Sequence, residues 1–453
     1  MSATGAVATG RPGPAPAPVR AIGTAGRVWD VCRTEQQKLI AQLATRVLAL
    51  LCVIGPFAFT AILKVQSGTP SDALFGVWVH SSGFAISLVV LGFAGSWGFP
   101  LVAGVLAGDL FSSEDRYGTW KTVLTRSCTR AELFTGKLVA AMTFAVALVA
   151  VTALSSLAAG VLLVGSASLV DLSGVLLSPG HALALVLTSW LLCVLPTLAY
   201  TSLAVLFSVA TRNGIVGVIG PALVALATQL LDLIGKGVWV HMLLIGSAFD
   251  GWHGLFTGHP FYGPLVVSSV ISLAWIAACL AAAWAILRRR DFLGASASRG
   301  GGWIAPVRVV AVTTCVIAVL ALAGNLGPAG VTAARLRGAI APEFNNITLL
   351  QQRLIGRTAP PGAQLAILPN CNRHGGKPDG PGDWSCTLDV YLPQAGSVPF
   401  QQAPVTYDVS VQSNGCYKAQ SPPSFVGQQT MRDIHGEVVV NPLFVVYGCF
   451  DPL

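Results

Sequence analysis

At 453 residues, 53% hydrophobic and only 10% charged, with a mean hydropathy of +0.69, the chain lies outside the range of soluble domains, which carry about 25% charged residues. Its net charge of +8 is no nucleic-acid footprint: the bases are strung along separate short segments, and from residue 327 onward eight Lys/Arg balance eight Asp/Glu. The composition is that of a membrane protein with a polar appendage.

Residues 1–26, beginning MSATGAVATGRPGPAPAPVRA, read as a disordered cytoplasmic tail without the apolar core or cleavage pattern of a secretory signal. Apolar runs come next at about 47–66, 83–107, 138–164, 182–210, 214–235, 263–287 and 306–325. Each is long enough to cross a hydrocarbon core of roughly 30 Å. Residues 27–290 form a six-span domain, 291–325 a cytoplasmic linker and seventh span, and 326–453 a polar domain. The predicted class is an α-helical polytopic membrane protein, a six-span core plus a seventh span, bearing a small disulfide-containing, mainly-β extracytoplasmic domain.

Lys/Arg placement sets the expected orientation in the cell membrane. Seventeen fall on one side: in the N-terminal arm, in the loop after the second span, at Arg212 and at 288–308. Lys64 and Lys236 fall on the other. The N-terminus is therefore expected in the cytoplasm and the C-terminal domain outside.

The spans are poor in charge. Asp232 and Lys236 read as an i,i+4 pair at the outer end of the fifth. With no carboxylate in mid-span, an ion-driven carrier is disfavoured, and driving energy is expected from another subunit. Pro100, Pro196 and Pro221 mark kinks, and the aromatic stretch 237–264 reads as a segment at the outer interface.

In the tail, GDWSCTLDVYLP, APVTYDVSVQSNGCYKAQSPP and HGEVVVNPLFVVYGCF alternate as strands do between Gly, Pro and Asn turns. Its four cysteines, Cys371, Cys386, Cys416 and Cys449, read as disulfides of an exported domain. Three pairings are possible, and Cys371–Cys386 with Cys416–Cys449 is the one favoured. The spacings fit no zinc pattern, and His253 and His259 match no ligand motif.

No catalytic motif is present. Ala94-Gly95-Ser96-Trp97-Gly98 lacks the first Gly of a nucleophile elbow, and there is no HExxH. FTGKL (134–138) lacks the earlier Gly and the following Ser/Thr of a phosphate loop. The chain is expected to be no enzyme and to hold no metal or cofactor.

Against this background the cytoplasmic stretch EDRYGTWKTVLTRSCTR (114–130) is dense in charge and aromatics. Gly118 breaks the chain, Thr119 is a candidate N-cap, and Trp120, Val123 and Leu124 fall on one face of a short helix. An exposed Trp face is expected. Thr129-Arg130-Ala131-Glu132 then fits a capping box leading into the third span.

Glu114, Gly118-Thr119, Leu124-Thr125-Arg126-Ser127, Thr129-Arg130, Leu133 and Gly136-Lys137 together resemble permease subunits of ATP-binding-cassette exporters of the ABC-2 type. The amphipathic CRTEQQKLIAQLATRV (32–47) looks like the helix preceding their first span, and the aromatic segment after the fifth looks like their outer half-helices. The resemblance covers roughly 27–290; the seventh span and the tail depart from the six-span pattern, the tail resembling those of actinobacterial permeases.

The resemblance implies that the loop within 109–137 docks on a separate ATPase subunit, which would hold the ATP and Mg. Glu114, Arg116, Tyr117, Trp120, Lys121 and Leu124 would form the docking face, with Gly118 and Thr119 shaping it and Arg126 and Arg130 on its rim. It further implies a second permease copy or a related permease, a lipid bilayer and no nucleic acid as partners. The rival reading is a non-transporting, membrane-anchored sensing or binding module that displays the C-terminal domain.

Overall fold

The computed structural model describes residues 23–66, 70, 73–120, 122, 128–233, 238, 241, 244–290, 304, 307–308, 311–312, 330–357, 365–375, 378–392, 400–401 and 404–453. Among them, six helical stretches are long and apolar enough to cross a membrane: Leu43–Val65, Gly83–Arg116, Arg130–Leu163, Pro179–Thr211, Gly214–Leu231 and Gly263–Arg288. The expected seventh span, 306–325, and the Asp232–Lys236 pair lie almost wholly outside the described residues.

An amphipathic α1 (Thr24–Ala41) precedes α2 (Leu43–Val65). The second stretch is α3 (Gly83–Phe93), a π-turn over Ala94–Gly98, and α4 (Phe99–Ala107), continuing into the short α5 (Ser112–Arg116). Pro100 has no N–H to give the ladder, and the helix widens just ahead of it. Next come α6 (Arg130–Leu163), α7 (Pro179–Leu192), α8 (Val194–Thr211), α9 (Gly214–Leu233) and α10 (Gly263–Arg288). The fourth stretch is thus broken at Cys193, because Pro196 cannot bond the Leu192 carbonyl.

Glycines set the closest helix contacts. A Cβ on Gly217 of α9 would lie 2.0 Å from the Gly108 carbonyl oxygen, and one on Gly160 of α6 would lie 2.2 Å from that of Gly83. Such small residues let backbones approach where no hydrophobic drive separates helix from lipid.

The bundle has two unlike ends. At one lie α1, α5, the start of α6 and Arg288–Arg290. At the other, the aromatic segment forms 3-10 turns at Ser247–Asp250 and His253–Phe256, and the Leu172 N–H donates to the Phe256 carbonyl at 2.8 Å. Phe75 packs on Trp252 and Phe256, with ring centroids 6.4 and 5.1 Å away.

The C-terminal domain is a sheet in the order β10-β7-β6-β4-β3, with β5 also paired to β4, covered by a helix. The strands are β3 (Ala366–Arg373), β4 (Gly382–Leu392), β5 (Phe400–Gln401), β6 (Val405–Val411), β7 (Cys416–Gln420) and β10 (Val445–Cys449), all pairing antiparallel. (β1, Leu169–Val170, and β2, Leu176–Leu177, form a small hairpin in the membrane domain.) Alternation buries Trp384, Leu388, Tyr407, Val409 and Tyr417 on one face. Against that face packs α11 (Ala333–Leu354) through Leu336, Ile340, Phe344 and Ile347.

A 22-residue helix joins the expected β-sheet of the tail, an element not among the expected strands. Its apolar positions recur at helical spacing, and the sheet needs a cover for its apolar face. The hairpin of β8 (Thr430–Arg432) and β9 (Val438–Val440) is separate.

The favoured disulfides are present. Cys371–Cys386 joins register partners on β3 and β4, and Cys416–Cys449 joins partners on β7 and β10.

This domain sits on the end of the bundle opposite α5. Asn346 Nδ2 donates to the Ser173 carbonyl at 2.8 Å, and Val445, Tyr447 and Cys449 join the apolar core of the helical domain. Each disulfide closes a loop across adjacent strands. The 15-residue separation of Cys371 and Cys386 corresponds to about 3 kcal/mol of chain-entropy stabilisation. Cys371→Ser with Cys386→Ser should therefore lower the unfolding midpoint of the C-terminal domain while leaving the helical content of residues 43–288 unchanged, as read by thermal circular dichroism at two wavelengths.

Candidate functional site

The charged end is assembled around Lys137. Thr129 caps α6 in a full capping box, its hydroxyl accepting the Glu132 N–H while the Glu132 carboxylate accepts the Thr129 N–H. Glu132 also pairs with Arg27 of α1 at 3.1 Å. One turn further, Gly136 lets α1 lie flat on α6: a Cβ there would be 2.6 Å from Val31. Lys137 consequently comes under α1, beside Glu35, and is 1% exposed.

A buried ammonium has three donors and needs three acceptors. Lys137 Nζ has them in the Leu110 carbonyl oxygen at 3.0 Å, Glu114 Oε1 at 3.0 Å and Glu35 Oε2 at 3.1 Å. The Phe111 ring lies 5.8 Å away and adds a cation–π contact. Half-exposed Lys38 closes the cluster, 2.8 Å from Glu35 and 3.3 Å from Glu114. Two cations and two carboxylates thus neutralise one another across α1, α5 and α6, all but Lys38 out of water. Removing one member would strand a buried charge.

The neighbouring acid points elsewhere. Asp115 accepts from Arg290 through both guanidinium nitrogens, one of them at 3.0 Å, and from Trp120 Nε1 at 3.0 Å. The Arg290 guanidinium lies 5.5 Å over the Trp120 ring. Arg130 Nη1 donates to the Arg288 carbonyl at 2.8 Å, a second tie to the end of α10. Beneath α5, Ser208 Oγ of α8 accepts the Phe111 and Ser112 N–H groups at 3.1 Å each, satisfying donors at its start.

Of the residues expected at a docking face, Glu114 and Trp120 are buried; the expected exposed Trp face is replaced by a Trp clamped between Asp115 and Arg290. The reason is chemical: the indole N–H finds a carboxylate and its face a cation, both inside the fold. Thr119 is half-buried, and its hydroxyl donates to Glu114. Gly118 has φ +65°, which only glycine adopts freely, so it turns the chain as expected. Arg116 and Tyr117 are exposed, with the Arg116 guanidinium 5.0 Å from the Tyr117 ring and its Nη2 2.6 Å from Asp109. Arg130 is half-buried, and Lys121, Leu124 and Arg126 lie outside the described residues.

Sequence reasoning misses Glu35, Lys38, Asp115, Lys137 and Arg290 as parts of one site, counting the bases as orientation signals and Lys137 and Lys38 also within the stretches that carry the resemblance. A signal exists. Glu35 is buried with Cys32 and Leu39 on the inward face of α1, and a carboxylate on such a face requires a buried cation. Lys137→Met should leave Glu35 and Glu114 with only half-exposed Lys38 as counter-charge and destabilise the protein by about 3–5 kcal/mol. The check is the melting temperature of the purified variant, which should recover in part when Glu114→Gln is added.

Residues 48–293 match a family model described as a protein of unknown function (DUF2705). No curated protein matches the chain. The matched region spans more than half of the 453 residues, running from α2 through Arg290 and so taking in α5, Lys137 and the Asp115–Arg290 clamp. The chain belongs to the DUF2705 family.

Proposed function

We propose that this chain is the permease subunit of an ATP-driven exporter of the ABC-2 type, which forms a path across the cell membrane and is driven by a separate ATPase subunit. The observation that carries the reading is the double anchorage of α5. Through Glu114 it is tied to α1 and α6, and through Asp115 to the end of α10. Arg116, Tyr117, Gly118 and Thr122 are exposed immediately beyond it. A partner pushing on that exposed turn moves three membrane-facing elements together, since buried ion pairs resist being pulled apart one at a time. With Glu114 and Trp120 turned inward, the contact surface is Arg116, Tyr117 and the residues just beyond them, and the inward groups transmit.

The placement of the C-terminal domain supports the expected orientation. Arg290 lies at the α5 end, whereas Gly330 lies at the far end, against Pro452 and Val238. A pass from one to the other must cover the length of α10, whose 26 residues rise about 39 Å. The apolar run 306–325 is long enough for that pass to be a seventh span. With the basic end in the cytoplasm, the disulfide-bearing domain is then outside, where disulfides persist.

The test is purification of the chain together with an ATP-binding-cassette ATPase encoded by a neighbouring gene, if the genome holds one there. The combined Arg116→Glu and Tyr117→Ala variant should keep its melting temperature yet lose ATPase stimulation by about tenfold, roughly 1.4 kcal/mol of contact energy. An ATPase that neither co-purifies nor responds to the permease, or responds equally to the variant, overturns the reading.

A further inference from the structure

At the far end from α5 another buried acid has no compensating cation among the described residues. Glu343 of α11 is 2% exposed at the heart of the C-terminal domain. Its Oε2 accepts a hydrogen bond from the Tyr417 hydroxyl of β7. Its Oε1 has no hydrogen-bond partner, and no ion pair reaches it among the described residues. Room for the carboxyl exists because residue 448 of β10 is glycine: a Cβ there would lie 2.2 Å from Glu343 Oε2. The site is built, and built for a neutral acid.

The groups around Glu343 reinforce this. From β7 comes Tyr417 and from β6 Tyr407, whose hydroxyl donates to the Leu443 carbonyl at 2.7 Å. From the helical domain comes Asp171, 7% exposed, with His181 near it. On α11 itself Arg337 and Arg353 are exposed and turned away, and Arg373 of β3 donates to the Pro381 carbonyl. Burial pushes the Glu343 carboxyl well above the usual carboxylate range; the Tyr417 hydrogen bond opposes this, and the Asp171 charge adds to it. Burial likewise raises the Tyr417 phenol, keeping it a donor.

One turn beyond Glu343, α11 makes one of the contacts that hold the two domains together, beside the packing of Val445, Tyr447 and Cys449. Asn346 donates to the Ser173 carbonyl, and Ile347 packs against Gly174, whose Cβ position is 2.6 Å from the Ile347 side chain. Asp171 shapes that same loop, its Oδ1 accepting from the Ser173 N–H at 2.9 Å, the Ser173 hydroxyl at 2.8 Å and the Val175 N–H at 2.8 Å. Two carboxyl groups therefore stand near the joint, one in each domain.

We propose that Glu343 makes the seating of the C-terminal domain on the 164–178 loop proton-dependent, seated while the carboxyl is neutral and released when it ionises. An ionised Glu343 leaves a buried charge with one hydrogen bond and a second carboxylate nearby; shifting α11 outward hydrates it and withdraws Asn346 and Ile347 from the loop. Linkage gives the sign. The carboxyl binds its proton more tightly when seated than when exposed, so seating is fully favoured below the exposed value of about 4.3 and is lost as pH rises through the raised value. The device goes beyond the transport reading and does not require an ATPase at the other end.

Hydrogen exchange of the full-length protein in lipid nanodiscs tests it, with rates corrected for the intrinsic rate at each pH. Protection of the amides at 170–176 and 343–350 should fall as the pH rises above the midpoint, by up to about tenfold per pH unit. Protection in β4 and β6 should stay constant, since the domain unseats without unfolding. Glu343→Gln should remove the pH dependence. Tyr417→Phe, which deletes the bond that favours the ionised form, should move the midpoint upward. Unchanged protection across the range, equal pH dependence in Glu343→Gln, a Tyr417→Phe midpoint that does not rise, or loss of protection spreading through β4 and β6 would each overturn the proposal. Absence of an ATPase partner would leave this readout untouched.

Discussion

A lysine ammonium buried in an apolar bundle must find three acceptors, and that requirement organises the charged end of this protein. Lys137 draws the Leu110 carbonyl from the end of the second stretch, Glu114 from α5 and Glu35 from α1. None of those segments is adjacent to it in sequence. Their convergence fixes how α1 lies on α6 and where α5 stops, because a cation left with fewer partners in that position would be too costly to bury. Gly136 permits the approach by bringing α1 against the helix that carries the lysine.

The two acids of α5 divide the load. Side chains one residue apart on a helix point about 100° from each other, so Glu114 reaches inward to α1 and α6 while Asp115 reaches the end of α10. Within a segment that stands out in the chain as a dense island of charge, Glu114, Asp115 and Trp120 thus serve as an internal fastening. Among the described residues, Arg116 and Tyr117 face outward on a chain turned by Gly118. In the proposed exporter this is where pushing would start, and the buried pairs would be what carries it.

The opposite end solves the same problem differently. Glu343 is as buried as Lys137 but has a phenol in place of a counter-charge, so its comfort depends on holding a proton. One end of the molecule is locked by compensated charge. The other is held by apolar packing, a few neutral hydrogen bonds and an acid that must stay uncharged.

Much of this is legible in the chain, for reasons that can be named. Apolar runs locate six membrane-capable helices because helix length and bilayer thickness are matched, and Thr129-x-x-Glu132 locates the start of α6 because capping is local. Period-two alternation locates most of the strands of the tail, and the favoured cysteine pairing matches the register of β3 with β4 and β7 with β10. The helix α11 is equally readable, at Leu336, Ile340, Phe344 and Ile347, but the strand patterns around it dominate the composition of the tail. Local chemistry, then, is written in the sequence. Whether Trp120 faces a partner or a neighbouring Arg290, whether Glu114 is a surface acid or the partner of a lysine 23 residues away, and whether Glu343 meets a cation or a tyrosine are decided only by packing. A side chain's charge is set by its own residue type, but its cost and its role depend on what the fold places within a few ångströms.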